Sequence, residues 1–166
     1  MIDIRKAEEK DLGSLRAIYD QIGQKDPGYF ETSLELQDKG ERDLFIASLK
    51  GQDVGFCILN FKPQYSLYKK LEIPEIQDLN VVPDVRRQGV ASALVAICED
   101  RASGKGRNQI GVSVGLSAVY GPAQVLYHRL GYCPDGHGIT YRRQGVQHGQ
   151  MHPVDDDLCL MLVKDI

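Results

Sequence analysis

The densest chemical signal in the sequence is the stretch Leu79-Asn80-Val81-Val82-Pro83-Asp84-Val85-Arg86-Arg87-Gln88-Gly89-Val90-Ala91-Ser92. A strand end that feeds a glycine-bearing loop and then a helix exposes the helix's first unpaired N–H groups and the positive end of its dipole. Both favour phosphate. Gly89 permits close backbone approach, and Arg86 and Arg87 bring charge suited to a pyrophosphate or a 3′-phosphate. Other phosphate motifs fail: no Gly-x-x-x-x-Gly-Lys precedes a Ser or Thr, and Gly104-Lys105-Gly106 does not continue as a dinucleotide fingerprint after a strand. Just upstream, Glu75 and Asp78 are carboxylates able to accept a proton. Their strand parity is opposite, so both serve one site only if a bulge intervenes.

The elements that must hold these residues alternate between strand and helix. Ile2 and Ile4 predict a first strand, and Leu12, Leu15, Ile18, Tyr19 and Ile22 then recur at helical spacing up to Gly23. Asp26 to Gly40 reads as irregular, with a helix around Ser33 to Gln37. Leu44 to Leu49 and Val54 to Phe61 predict a hairpin turning at Lys50-Gly51-Gln52-Asp53. After a loop bearing Tyr65 and Tyr68, Ile76 to Val82 is a strand closed by Pro83, and Ala91, Leu94, Val95, Cys98 and Ala102 mark a helix ended by Gly104. Ile110, Val112 and Val114 alternate as a strand; Pro122 opens a helix that stops at Gly131. Gly136 to Gly149 reads as an extended loop with a short strand at Ile139 to Tyr141, and Leu158 to Val163 is the last strand.

This arrangement resembles the GCN5-related N-acetyltransferase (GNAT) family. That family places Arg or Gln, two residues, Gly, one residue and then Gly or Ala between a strand and a long helix, and Arg86, Gly89 and Ala91 fit. A later family helix carries Ala, then Leu-Tyr, then Gly with an aromatic residue; Ala123, Leu126-Tyr127 and Gly131-Tyr132 stand in that order. The resemblance runs from Ile2 to Val163 in element order. It implies a mixed α/β fold: a mostly antiparallel sheet, flanked by helices, whose central strands splay to admit a pantetheine arm. It further implies acetyl-CoA as cosubstrate, bound by Arg86, Arg87, Gln88, Gly89, Val90, Ala91 and Ser92, with backbone groups near Leu79 and Val81 orienting the thioester. The acceptor is then a small-molecule or peptide amine, attacking directly in a ternary complex. One departure is Tyr120, where the family often has an Asn that contacts the cofactor.

Within that chemistry, an alkyl ammonium with a pKa of about 10.4 must lose a proton before attacking. Glu75 resembles the family's glutamate base in position, and Asp78 is the alternative. Tyr127 lies in the second motif and suits protonation of the leaving thiolate. A catalytically inactive acyl-CoA-binding module of the same fold is the second reading. Tyr29, Tyr65, Tyr68 and Tyr141 are loop aromatics that could line an acceptor pocket, whereas Asp155, Asp156 and Asp157 read as a solvated run.

Composition narrows the classes further. A chain of 166 residues suits one domain, 1–166. A net charge of −3 with no concentrated basic face argues against nucleic acid as a partner. Cys57, Cys98, Cys133 and Cys159 lack metal or redox spacing, and His128, His137, His148 and His152 do not complete a metal site with them. No metal is expected. Reduced thiols, no signal-like amino terminus and no apolar run of about 20 residues point to a cytoplasmic protein without membrane contact; a homodimer is compatible with all of this.

Overall fold

The computed structural model describes residues 1–23 and 26–166. In chain order the elements are β1 (Ile2–Lys6), α1 (Leu12–Asp20), α2 (Tyr29–Asp38), β2 (Arg42–Leu49), β3 (Gln52–Asn60), α3 (Ser66–Leu71), β4 (Glu75–Val81), α4 (Val90–Gly104), β5 (Gln109–Gly115), α5 (Gly121–Arg129), β6 (Cys133–Tyr141), β7 (Gln144–Gly145) and β8 (Leu158–Asp165). The fold is mixed α/β with mostly antiparallel strands. Two compact units form, one from Met1–Phe61 with Ile76–Arg101 and one from Lys62–Glu75 with Ala102–Ile166. Among the described residues no helix is long and apolar enough to cross a membrane.

In the first unit the strands lie in the order β1-β2-β3-β4. β1 and β3 each pair antiparallel with β2, and bonds from Val82 to Val54 and from Asn60 to Gln77 run β4 against β3. The β2–β3 hairpin closes through Lys50 and Gly51, both left-handed (φ 54° and 82°), between the paired residues Leu49 and Gln52. Such a two-residue turn matches the twist of the strands. The unbroken apolar runs in β2 and β3 follow from burial on both faces. On one face Tyr19 and Phe30, from α1 and α2, pack against Phe56, the two phenylalanine rings edge-to-face at 5.2 Å. On the other, Cys57 meets α4, its sulfur 3.5 Å from that of Cys98.

The second unit orders its strands β5-β8-β6-β7. Its centre is Tyr68, fully buried, whose hydroxyl donates to the Leu162 carbonyl at 2.5 Å. The ring occupies the space above Gly111, where a Cβ would lie 2.4 Å from it. Tyr65, Ile73 and Met161 complete this cluster.

Three expectations change. The helix expected around Ser33 to Gln37 is longer and runs Tyr29–Asp38, and Tyr68 lies on α3 in the core and not in a loop. The loop expected from Gly136 begins instead inside the nine-residue strand β6. Gly136 and Gly138, both left-handed, break its register with β8 between Pro134 and Ile139 and erase the alternation that would have revealed it.

Asp43 ties the first unit together at its surface: buried itself, it accepts from Lys6 at 2.5 Å and from Arg101 at 2.6 Å. Burial raises its pKa, but the bonds from Arg101 and Lys6 outweigh that and hold it below the usual carboxylate range. A depressed folded-state pKa contributes stability that is complete above the unfolded value near 3.9 and disappears as pH falls through the folded value. Asp43→Asn should therefore cost about 2 kcal/mol in urea unfolding at pH 7, and the difference from the parent protein should shrink below about pH 4. A difference that does not change with pH would mean the carboxylate charge contributes nothing.

Candidate functional site

β4 ends where Val82 donates to the Val54 carbonyl at 2.9 Å, and Pro83, lacking an N–H, opens a short 3-10 turn through Val85. Arg86 follows in an extended conformation, its Nε donating to the Val81 carbonyl at 3.1 Å. That bond braces the loop against the strand it leaves. Arg87 and Gly89 are left-handed, with φ of 63° and 87°. A Cβ at Gly89 would touch only Ile2, 3.8 Å away, so backbone conformation and not crowding selects glycine here.

The Ala93 N–H bonds to the Gly89 carbonyl at 3.0 Å and starts α4. The N–H groups of Val90, Ala91 and Ser92 therefore precede the first bond of that ladder. Arg86, Arg87, Gln88 and Gly89 are exposed beside them, whereas Val90 is buried. The arrangement sets backbone donors, a dipole end and two guanidiniums side by side, a combination whose chemistry favours an anion. Upstream, Leu79 is half-buried and Val81 buried.

Within β4, Asp78 has φ of 49°, an unusual value for a non-glycine residue inside a strand. A left-handed residue breaks the regular pleat of the strand at this point. The Tyr29 hydroxyl donates to the Asp78 carboxylate, and the Asn80 amide donates to the Asp78 carbonyl at 3.1 Å. Burial and the nearby Asp78 charge push the Tyr29 phenol up, keeping it a donor. Tyr29 stands at the start of α2, not in a loop.

Glu75 belongs to the second unit, where it is fully buried and ion-paired with Arg143. Arg142 and Arg143 form a two-residue turn between the paired residues Tyr141 and Gln144, with φ of 50° and 65°. Sequence reasoning missed Arg143 because such turns favour Asn, Asp or Gly; two arginines carry no turn signal. Tyr127 is buried, its ring inclined at 65° to that of Tyr132 and 5.6 Å from it. Tyr120 lies over Gly115, and its hydroxyl donates to Asp156 at 2.6 Å. The other two aspartates of that run accept from Tyr141 and Arg142, each at 3.1 Å. The first unit thus brings together the loop, Leu79, Val81 and Asp78; Glu75 and Tyr127 lie in the second. Among the described residues no group of three or more His, Cys, Asp and Glu side chains could hold a metal ion.

Residues 40–134 match the family model described as the acetyltransferase (GNAT) domain. The chain is 31% identical over 99 residues to an uncharacterized N-acetyltransferase of Methanocaldococcus jannaschii, an alignment covering 58% of this chain. It spans only 42% of that relative's length. Among solved structures it is similar to an N-acetyltransferase from Staphylococcus aureus Mu50, with a TM-score of 0.73 at 19% identity over 99% of this chain and 98% of the other. The structure of yncA from Salmonella typhimurium with its cofactor acetyl-CoA gives a TM-score of 0.71 at 15% identity over 99% and 93%. At such identities the likeness shows the fold.

The Glu75–Arg143 pair has a measurable structural part. Removing one partner of a buried ion pair leaves the other charge uncompensated, so Arg143→Ala should cost about 3 kcal/mol of stability. Adding Glu75→Gln should recover part of that loss in denaturant titrations, a coupling read from the double-mutant cycle. Additive losses would show that the pair is not coupled.

Proposed function

The chain belongs to the GNAT acetyltransferase family, and from that membership we propose that it is an N-acetyltransferase moving an acetyl group from acetyl-CoA to an amine. The observation that carries this reading is the exposed loop Arg86 to Gly89, with left-handed Arg87 and Gly89, leading directly into the first amides of α4 at Val90, Ala91 and Ser92. The amides of Val90, Ala91 and Ser92 hold the pyrophosphate with Gln88 and Gly89, while Arg87 and the outer face of Arg86 neutralise phosphate charge. Backbone groups at Leu79 and Val81 align the pantetheine amides and the thioester. The family model runs from residue 40 to 134 through segments of both compact units, which supports one catalytic domain.

The amine nitrogen attacks the thioester carbonyl, a C–N bond forms, and the C–S bond breaks as the intermediate collapses. The departing thiolate takes a proton from the Tyr127 hydroxyl. The proton lost by the amine goes to a carboxylate of β4, directly or through water, with Glu75 as first candidate and Asp78 as second. Holding both reactants in one ternary complex supplies the rest of the acceleration. The acceptor is a small-molecule or peptide amine. Four free cysteines support work in the reducing cytoplasm.

Acetyl-CoA binding, followed by calorimetry, tests the loop. Gly89→Val should weaken it about tenfold or more, since a β-branched residue is strained at this φ and closes the backbone approach. Unchanged affinity in a folded variant removes the loop from the site. For the chemistry, Tyr127→Phe should lower kcat with little change in acetyl-CoA affinity. Glu75→Gln should lower the rate near neutral pH and regain part of it as pH rises toward the pKa of the amine. If Asp78→Asn alone flattens the pH profile, Asp78 is the base.

A further inference from the structure

Within the second unit, α3 and the β6–β7 hairpin border an open cavity of about 360 Å³. The side chains around it include Tyr65, Leu67, Lys70, His137, Arg143 and Gln144, and among the described residues no acidic one lines it. Two carboxylates lie behind this lining, each already engaged. Glu75 is fully buried and holds Arg143, and Asp135 accepts from the Tyr65 hydroxyl at 2.8 Å and from the His137 backbone N–H at 2.9 Å. Burial and Asp135 raise the Tyr65 phenol, which stays protonated and spends its proton on that carboxylate.

The surface facing the cavity is therefore rich in donors. Lys70 is exposed and supplies a full positive charge, and Arg143 keeps 27% of its side chain accessible while bonding Glu75. A guanidinium carries five N–H donors in a planar fork, so one carboxylate does not exhaust it. Leu67 and the Tyr65 ring add an apolar wall that suits the body of a small organic molecule.

We propose that this cavity binds the anionic group of the acetyl acceptor, a carboxylate or a phosphate, on Lys70 and Arg143, and that the acceptor is a small amine bearing an acid group. The inference rests on the acetyltransferase reading and adds a substrate class to it. Arg143 then has two partners of one sign, Glu75 on its buried side and the acceptor on its open side. An acid group arriving in the cavity draws the guanidinium outward and loosens its hold on Glu75. Neutral amines gain neither the attraction of Lys70 nor this effect.

Matched pairs test the idea with the full chain: a set of amino acids against their carboxamides, and phosphoethanolamine against ethanolamine, in both acetyl transfer and calorimetric binding. The acid member of at least one pair should be favoured about tenfold in kcat/KM, the scale of one charge-assisted contact. Preference in the carboxylate pairs or in the phosphate pair identifies the acid group. Lys70→Ala should remove that preference, mainly by raising KM for the acid member; Lys70→Arg should restore it. Equal use of acid and neutral members, an equal loss on both in Lys70→Ala, or no binding of any acid member would overturn the inference. Acetyl-CoA binding, measured separately, keeps the two readings apart: if it persists without an acid preference, only the substrate class fails, and if it is absent, the enzyme reading fails with it.

Discussion

A helix that begins in an exposed loop leaves its first N–H groups without carbonyl partners, and at Val90, Ala91 and Ser92 this shortage is the condition the first unit is built to hold open. Water would satisfy the amides in any conformation. Fixing their direction requires that the chain on both sides be immobile. On the strand side, Val82 is tied to β3 and Arg86 is tied back to Val81. On the helix side, Val90, Leu94, Val95 and Cys98 are buried, so α4 cannot rotate without opening the core. Between them only a few residues are exposed, and two of these sit in left-handed conformations that set the turn. Donors aimed in advance cost no reorganisation when an anion arrives.

The second unit meets a different constraint. A carboxylate cannot be buried alone, and Glu75, fully buried, is accompanied by Arg143 from the β6–β7 turn. The partner is distant in sequence and comes from a hairpin whose other residues are mostly exposed. Burial on one side and accessibility on the other give Arg143 a place in both the core and the cavity.

Local punctuation made most elements legible. Lys50-Gly51 marked the hairpin, Pro83 the end of β4, and Pro122 with Gly131 the two ends of α5. Helix α3 escaped because it is only six residues long, too short for a period to register, and its tyrosine belongs to the core for a reason 43 positions away. Of strand β6 only Ile139 to Tyr141 was legible; its first part escaped because its glycines, elsewhere a sign of loops, here permit a bulge. The loop from Arg86 to Gly89 could be read because its features are local, carried by consecutive residues. Partners contributed by distant segments, Tyr29 for Asp78 and Arg143 for Glu75, leave no mark in the residues they serve.

Tyr68 and Gly111 show how far such distant dependence extends. The glycine is a vacancy shaped by a ring that is fully buried and anchored through its hydroxyl to Leu162. Any side chain at position 111 displaces that ring, and any smaller residue at position 68 leaves a void over a backbone with nothing to fill it. Neither position can drift alone. A change at one leaves a clash or a void unless the other changes with it, so the two positions carry a single packing decision between them.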